Sequence, residues 1–273
     1  LDKAQYGIIG WPLGHSKSPL LHNWGLKASG LPGSYAAWPT EPGKLKAFVA
    51  EMRARRIKGV SVTIPHKVAV IPLLDEITDR AKTVGAVNTL FWQGNKLTGD
   101  NTDVAGVAAP LGPHLDRLGP ALVLGAGGAA RAACAALRGI GVADICVSAR
   151  DMAKATLLAA DFSARVVDWD RRAAAAWGLV LNATPLGMQG DSQGLSPWPD
   201  DATGRMAVAF DLVYNPIRTR FLEQAAALGA TQVSGLSMFL HQGLAQFEIW
   251  TGKKLDEQRA RQLLLADMLM TGG

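Results

Sequence analysis

The sequence predicts an α/β protein in which parallel sheets are covered by helices on both faces. Strand-like and helix-like segments alternate nearly throughout the 273 residues, as βαβ units require. One apolar strand runs straight into a glycine-rich turn and an alanine-rich helix, "ALVLGAGGAAR" (121–131). Hydrophobic residues at 48% and charged ones at 19% describe an ordinary globular chain, long enough for one domain to divide into two.

The elements follow in order. "YGIIG" (6–10) reads as a strand and leads to a helix over 18–28, with Pro19 in its first turn. "SYAAWP" (34–39) is the next strand, and Thr40 is a candidate N-cap for a helix over 41–55. In "GVSVTI" (59–64), Val60 and Val62 alternate with Ser61 and Thr63 until Pro65, which has no N–H to donate, stops the ladder. A short helix, a polar stretch with Asp75 and Asp79, and the strand "AVNTLFW" (86–92) complete the first half. The turn-rich "DNTDVAG" (100–106) opens a helix and marks the break between halves. Beyond it come "ALVLGAG", a helix over 128–139, "DICVSA", a helix over 151–160, "RVVDW", "LVLNAT", "VAFDLV" and a helix over 218–228. From Phe239 to about Met270 the apolar residues keep helical spacing.

Composition also excludes several classes. The formal charge of +5 is scattered along helices such as "RARRIK" (53–58), with no basic tract interleaved with aromatics, so nucleic acid is not the expected partner. No apolar run approaches the roughly 20 residues of a membrane span, and "LDKAQYGIIGWPLGHSKS" does not read as a signal peptide, so a cytoplasmic enzyme is expected. Cys134 and Cys146 read as small core residues rather than a disulfide. The five histidines show no metal-ligand spacing, so no metal is expected.

Gly125, Gly127 and Ala130 match the G-x-G-x-x-G/A form of a dinucleotide-binding turn: a tight bend, close backbone approach to a pyrophosphate, and close helix packing. The second strand of such a unit ends about 20 residues later, where an acid binds the ribose of NAD. Here it ends in "VSARD". Arg150 favours NADP, because a guanidinium neutralises a 2′-phosphate and stacks on adenine. Asp151 either repels that phosphate or caps the following helix.

Five motifs, "GWPLGHSKSPLLHN" (10–23), "VTIPHK" (62–67), "GAVNT" (85–89), "GDNTDVAG" (99–106) and "GLSMFLHQGLAQFEIWTG" (235–252), together resemble the shikimate/quinate dehydrogenase family over nearly the whole chain. The resemblance implies an N-terminal α/β substrate domain, residues 1–102 and 239–273, with C-terminal helices returning to it. It implies an inserted Rossmann domain for NADP, residues 103–238. The implied activity is reversible reduction of 3-dehydroshikimate to shikimate with NADPH, in a monomer or homodimer whose partner is a small molecule. NAD with quinate, and a non-catalytic ligand-sensing module of the same fold, are the alternatives. On the cofactor side the resemblance adds Ala126, Gly128, Ala129, Thr184, Leu212, Gly235 and Met238 to Gly125, Gly127 and Arg150.

Hydride addition to a ketone develops negative charge on its oxygen, and a cation that also donates a proton answers both needs. Lys67, just beyond a strand in a matching motif, is the candidate. A carboxylate would hold it, and the resemblance nominates Asp103, although the sequence alone does not choose it over Asp100. A polyhydroxylated carboxylate calls for hydroxyls and amides. Ser16 and Ser18 reach one side if the backbone there is extended, and their hydroxyls can donate to a carboxylate; Ser18 also fits as a helix cap. By resemblance Ser61, Thr63, Asn88, Tyr214 and Gln242 face the substrate. Ser61 stands where the family usually has asparagine. His66, if the segment is extended, points away from Lys67.

Overall fold

The structure is a computed structural model that describes residues 5–14 and 16–270; His15 lies outside the described residues. The chain runs through β1 (Tyr6–Gly10), α1 (Ser18–Ala28), β2 (Tyr35–Pro39), α2 (Leu45–Arg55), β3 (Gly59–Val62), α3 (His66–Ala69) and β4 (Glu76–Ile77). Next come α4 (Asp79–Val84), β5 (Thr89–Gln93), β6 (Lys96–Asp100), α5 (Asp103–Leu111), β7 (Ala121–Leu124), α6 (Gly128–Gly139) and β8 (Ile145–Ser148). The remainder is α7 (Met152–Asp161), β9 (Arg165–Val166), β10 (Ala176–Asn182), β11 (Arg205–Asp211), α8 (Arg220–Ala227), β12 (Thr231–Val233), α9 (Gly235–Thr251) and α10 (Glu257–Met270). Two compact units result: one joins the residues up to Thr102 with those from Gln242 on, and the other is Asp103–His241. α9 runs unbroken from Gly235 to Thr251, and the division between the two units falls within it.

The first unit holds a six-stranded sheet in the order β2-β1-β3-β5-β6-β4. β1 is parallel to β2 and β3, but β5 is antiparallel to both β3 and β6, which corrects the expectation of parallel sheets alone. The β5–β6 pairing follows from the two-residue link Gly94–Asn95, with Gly94 at φ +61°: a link that short joins only antiparallel neighbours. Ile9, Val60, Val62, Leu90 and Leu97 fill the core on one face, where Leu45, Phe48, Val49 and Met52 of α2 meet them at helical spacing. Thr40 is not the cap of that helix. Its hydroxyl donates to the Trp38 carbonyl at 2.8 Å, a 3-10 turn occupies Pro42–Lys44, and α2 begins only at Leu45. α9 packs Trp250 so closely on β3 that a Cβ at Gly59 would lie 2.4 Å from the indole.

The second unit is a six-stranded, wholly parallel sheet in the order β12-β11-β10-β7-β8-β9. Sequence neighbours run outward from β7 through β8 and β9, and the chain then returns to the other side of β7 at β10. That reversal is the topological switch point of a doubly wound Rossmann sheet, beside which ligands bind at the strands' carboxyl ends. α6 approaches the sheet through Ala130, Ala133, Cys134 and Leu137. Both cysteines are buried free thiols, and burial pushes Cys134 up to about 12. Among the described residues no helix is long and apolar enough to cross a membrane.

Candidate active site

In the second unit every residue assigned to the cofactor lies at the carboxyl ends of the parallel strands. Gly125 follows β7 at φ +113°, and a Cβ there would lie 3.0 Å from the Ala183 carbonyl oxygen, so only glycine fits this turn. Ala126, Gly127, Gly128 and Ala129 carry the chain into α6, whose first backbone bond is Arg131 N–H to Gly127 at 3.0 Å. The N–H groups of the residues between have no partner within the helix, and a Cβ on Gly127 or Gly128 would meet nothing within 4 Å. A pyrophosphate fits there: donors, the positive end of the helix dipole and open space coincide. The Ser148 hydroxyl at the end of β8 is fully buried without a hydrogen-bond partner among the described residues, and Arg150 stands exposed two residues on. Asp151 caps α7, accepting from Lys154 N–H at 3.1 Å, which holds its carboxyl below the usual range and settles it as a cap.

Thr184 is fixed by Asn182, whose Oδ1 accepts both its N–H (3.0 Å) and its hydroxyl (2.7 Å). Asn182 in turn donates to the buried Asp211 carboxylate at 2.9 Å, which also accepts from Val213 N–H and the Thr219 hydroxyl. Burial pushes Asp211 up to about 6 despite these three donors. Leu212 N–H bonds Asn182 O, and Gly235 lies so close to β11's exit that a Cβ would sit 2.2 Å from the Val213 carbonyl. Met238, three residues into α9, packs against the sheet's core. Tyr214 also belongs to this unit; its ring lies 5.1 Å from Phe239, and burial raises its hydroxyl's pKa.

In the first unit the segments around β3 are stitched together by backbone bonds. Lys67 O accepts from Val87 N–H (2.8 Å), Val62 N–H donates to Asn88 O (2.8 Å), and Thr63 N–H donates to Ile9 O (2.9 Å). Ser61, Thr63, Lys67 and Asn88 are thereby held on adjoining segments. Lys67 sits in α3 rather than in an extended run. His66 is buried and directs Nε2 at the Thr40 carbonyl, 2.7 Å away; since a carbonyl only accepts, that nitrogen carries the proton and the ring anchors the segment.

Three expectations change here. Ser18 opens α1, so Ser16 and Ser18 are not on an extended segment, and Ser18 is not the cap: its own N–H donates to Ser16 Oγ at 3.3 Å. Ser61 is buried, accepting from the Tyr35 hydroxyl and donating to Gln246 Oε1, both at 2.7 Å, so it has no proton for a substrate. Asp100 is committed to Arg80 and Thr78. Burial alone would raise its carboxyl, but Arg80 and Thr78 outweigh that and hold it below the usual range, with Asn101 N–H adding a third donor. Asp103, the other carboxylate of that motif, is buried in the first turn of α5 in the second unit.

The residues that sequence reasoning missed are Gln246 and Tyr35. Gln246 lies one helical turn beyond Gln242 and thus on the same face of α9, a spacing legible in "HQGLAQ". His22 was also passed over: it is 1% exposed, stacked on Tyr35 at 4.5 Å, and neither ring nitrogen has a hydrogen-bond partner among the described residues.

Comparison with known proteins identifies relatives over nearly the whole chain. The profile of the shikimate dehydrogenase substrate binding domain matches residues 8–90, and that of the shikimate 5′-dehydrogenase C-terminal domain matches residues 235–265. Shikimate dehydrogenase (NADP(+)) of Maridesulfovibrio salexigens is 49% identical over 260 residues, 95% of this chain and 96% of that one. The protein of the same name from Oleidesulfovibrio alaskensis is 50% identical over 274 residues, 100% of this chain and 98% of that one. Among solved structures, shikimate 5-dehydrogenase from Thermus thermophilus in complex with NADP(H) and shikimate superposes with a TM-score of 0.88 at 37% identity, covering 96% of this chain and 98% of that one. The chain belongs to the shikimate dehydrogenase family.

Proposed function

We propose that this protein is an NADP-dependent shikimate dehydrogenase, a cytoplasmic monomer or homodimer that reversibly reduces 3-dehydroshikimate to shikimate. The observation that carries the reading is the glycine turn opening α6 beside the switch point of a Rossmann sheet, in a chain of this family. Two buried free thiols accord with a reducing compartment. Gly125 to Ala129 hold the pyrophosphate, Arg150 the 2′-phosphate, and Thr184, Leu212, Gly235 and Met238 line the remainder. NADPH, when bound, supplies the hydride. Lys67 stabilises the charge that develops on the carbonyl oxygen and gives it a proton, while Asp103 orients the ammonium. Ser16, Asn88, Thr63, Tyr214 and Gln242 bind the hydroxyls and carboxylate.

Absorbance of the reduced cofactor, followed with each pairing of NAD or NADP with shikimate or quinate, tests the reading. NADP with shikimate is expected to give the highest kcat/KM. No turnover with any pairing would leave only a ligand-sensing module of the same fold, and a preference for quinate or NAD would correct the substrate or the cofactor. Arg150→Ala is expected to weaken NADP by about ten- to a hundredfold while leaving NAD nearly unchanged, because a charge-assisted contact to phosphate contributes about 1.5–3 kcal/mol. Equal losses for the two cofactors would remove Arg150 from the phosphate site.

A further inference from the structure

The turn that leaves β10, residues 183–186, has committed every hydrogen-bond donor it carries. Ala183 N–H donates to Leu124 O at 2.8 Å. Thr184 N–H (3.0 Å) and the Thr184 hydroxyl (2.7 Å) both donate to Asn182 Oδ1. Pro185 has no N–H, and Leu186 N–H donates to Thr184 Oγ1 at 3.2 Å. Two backbone groups of the turn fix the Asn182 amide. Thr184 N–H can only donate, and Leu186 O, 3.1 Å from Asn182 Nδ2, can only accept, so the amide has one orientation. Its other N–H donates to Asp211 at 2.9 Å, so all four of its bonds are made, and the side chain is fully buried. The turn therefore shows acceptors alone. Ala183 O and Thr184 O have no hydrogen-bond partner among the described residues, and Thr184 Oγ1 keeps one lone pair.

This acceptor edge stands against the glycine turn, whose helix start presents donors. The Ala183 carbonyl oxygen lies 3.0 Å, and the Thr184 methyl 3.3 Å, from where a Gly125 Cβ would stand. β10 pairs with β7 on the side away from β8, and a dinucleotide lies across that switch point. With the 2′-phosphate at Arg150 and the pyrophosphate at the start of α6, the nicotinamide half falls on the β10 side. Phosphate oxygens only accept and find no donor at 183–184, whereas a ribose hydroxyl or a carboxamide N–H is a donor that such an edge receives.

We propose that Asn182 is a positioning residue for the cofactor: by taking both donors of Thr184 and holding Leu186 O, it makes 183–184 an acceptor-only edge for a donor on the cofactor's nicotinamide half. The inference rests on the proposed function and names the group received there, a ribose hydroxyl or the carboxamide N–H. Asn182 itself, buried beneath the turn, acts through Ala183 and Thr184.

Fluorescence titration of the wild type and Asn182→Ala with three probes provides the test. 2′,5′-ADP ends before the second ribose, 2′-phospho-ADP-ribose carries that ribose without the nicotinamide, and NADP carries both. In Asn182→Ala the turn loses its clamp and the donors of Thr184 are released. 2′,5′-ADP should bind within twofold of wild type, because Arg150 and the first N–H groups of α6 lie outside the turn. NADP should bind about three- to tenfold more weakly, the contribution of one neutral hydrogen bond. If 2′-phospho-ADP-ribose weakens equally, the donor is the ribose hydroxyl; if NADP alone weakens, it is the carboxamide; both results support the proposal. Equal weakening of all three probes would mean that the substitution only loosens the fold. That outcome, or no change beyond twofold for any probe, overturns the proposal. If Asn182→Ala does not fold, Thr184→Val and Thr184→Ser decide. The valine lacks the hydroxyl that links Leu186 to Asn182 and should give the same selective loss, while the serine keeps it and should stay close to wild type; a serine variant as weak as the valine overturns the proposal. A wild type that binds none of the three probes overturns the cofactor reading itself, and this inference with it.

Discussion

Lys67→Met is expected to lower turnover by at least about 10²–10⁴-fold, the contribution of a positioned acid–base group, and by more where charge stabilisation is lost as well. Methionine keeps most of the side-chain volume, and α3 is held by backbone bonds, Lys67 O to Val87 N–H and His66 O to Val70 N–H, that do not involve the ammonium. The fold and the binding of both ligands should therefore survive, which circular dichroism and equilibrium titration of NADP would verify. Asp103→Asn should also slow turnover, and the double variant should lose less than the two effects combined if the lysine and the carboxylate act as a unit. Near-normal turnover of Lys67→Met would refute the role assigned to it. Additive losses would keep Lys67 and release Asp103.

Acid should destabilise the first unit through His22. Burial among Tyr35, Phe247 and Trp250 lowers its pKa from the ordinary 6.5 to about 3. Between those two values the unfolded chain binds a proton that the folded chain refuses, so stability rises with pH across this window and is lost as pH falls through it. The slope is about 1.4 kcal/mol per pH unit, or roughly 3 kcal/mol by pH 4. Asp211 in the second unit works in the opposite sense. Its carboxyl is raised from 3.8 to about 6, so ionisation there costs stability as pH rises across that range. Comparing urea unfolding of the wild type with that of His22→Phe, at pH 7 and pH 4, cancels the Asp211 contribution. The variant should match or exceed the wild type at pH 7, since it removes two buried nitrogens that have no hydrogen-bond partner among the described residues. It should also be more stable than the wild type at pH 4. Parallel pH dependence in the two proteins would mean that His22 is hydrated or protonated in the fold.

Local order was legible wherever the information is local. The strand at 6–10, the helices at 18–28 and 128–139, and the glycine turn between β7 and α6 declare themselves by periodicity, by Pro19 and by Gly125, because neighbouring residues alone decide backbone conformation there. The cap of α7 was legible too, because Asp151 just ahead of Met152 is a one-dimensional pattern. What the sequence did not contain was partnership across distance. Thr40 looks like a cap until the Trp38 carbonyl takes its hydroxyl. Asp100 and Asp103 are equivalent in "DNTD" until Arg80 and Thr78, some 20 residues away, bond one of them. Ser61 reads as a donor to substrate until Gln246, 185 positions later, takes its proton. A hydrogen bond has a direction only when both partners are known, so propensity and spacing nominate polar residues, while the packed fold decides which of them still has a donor or an acceptor to give.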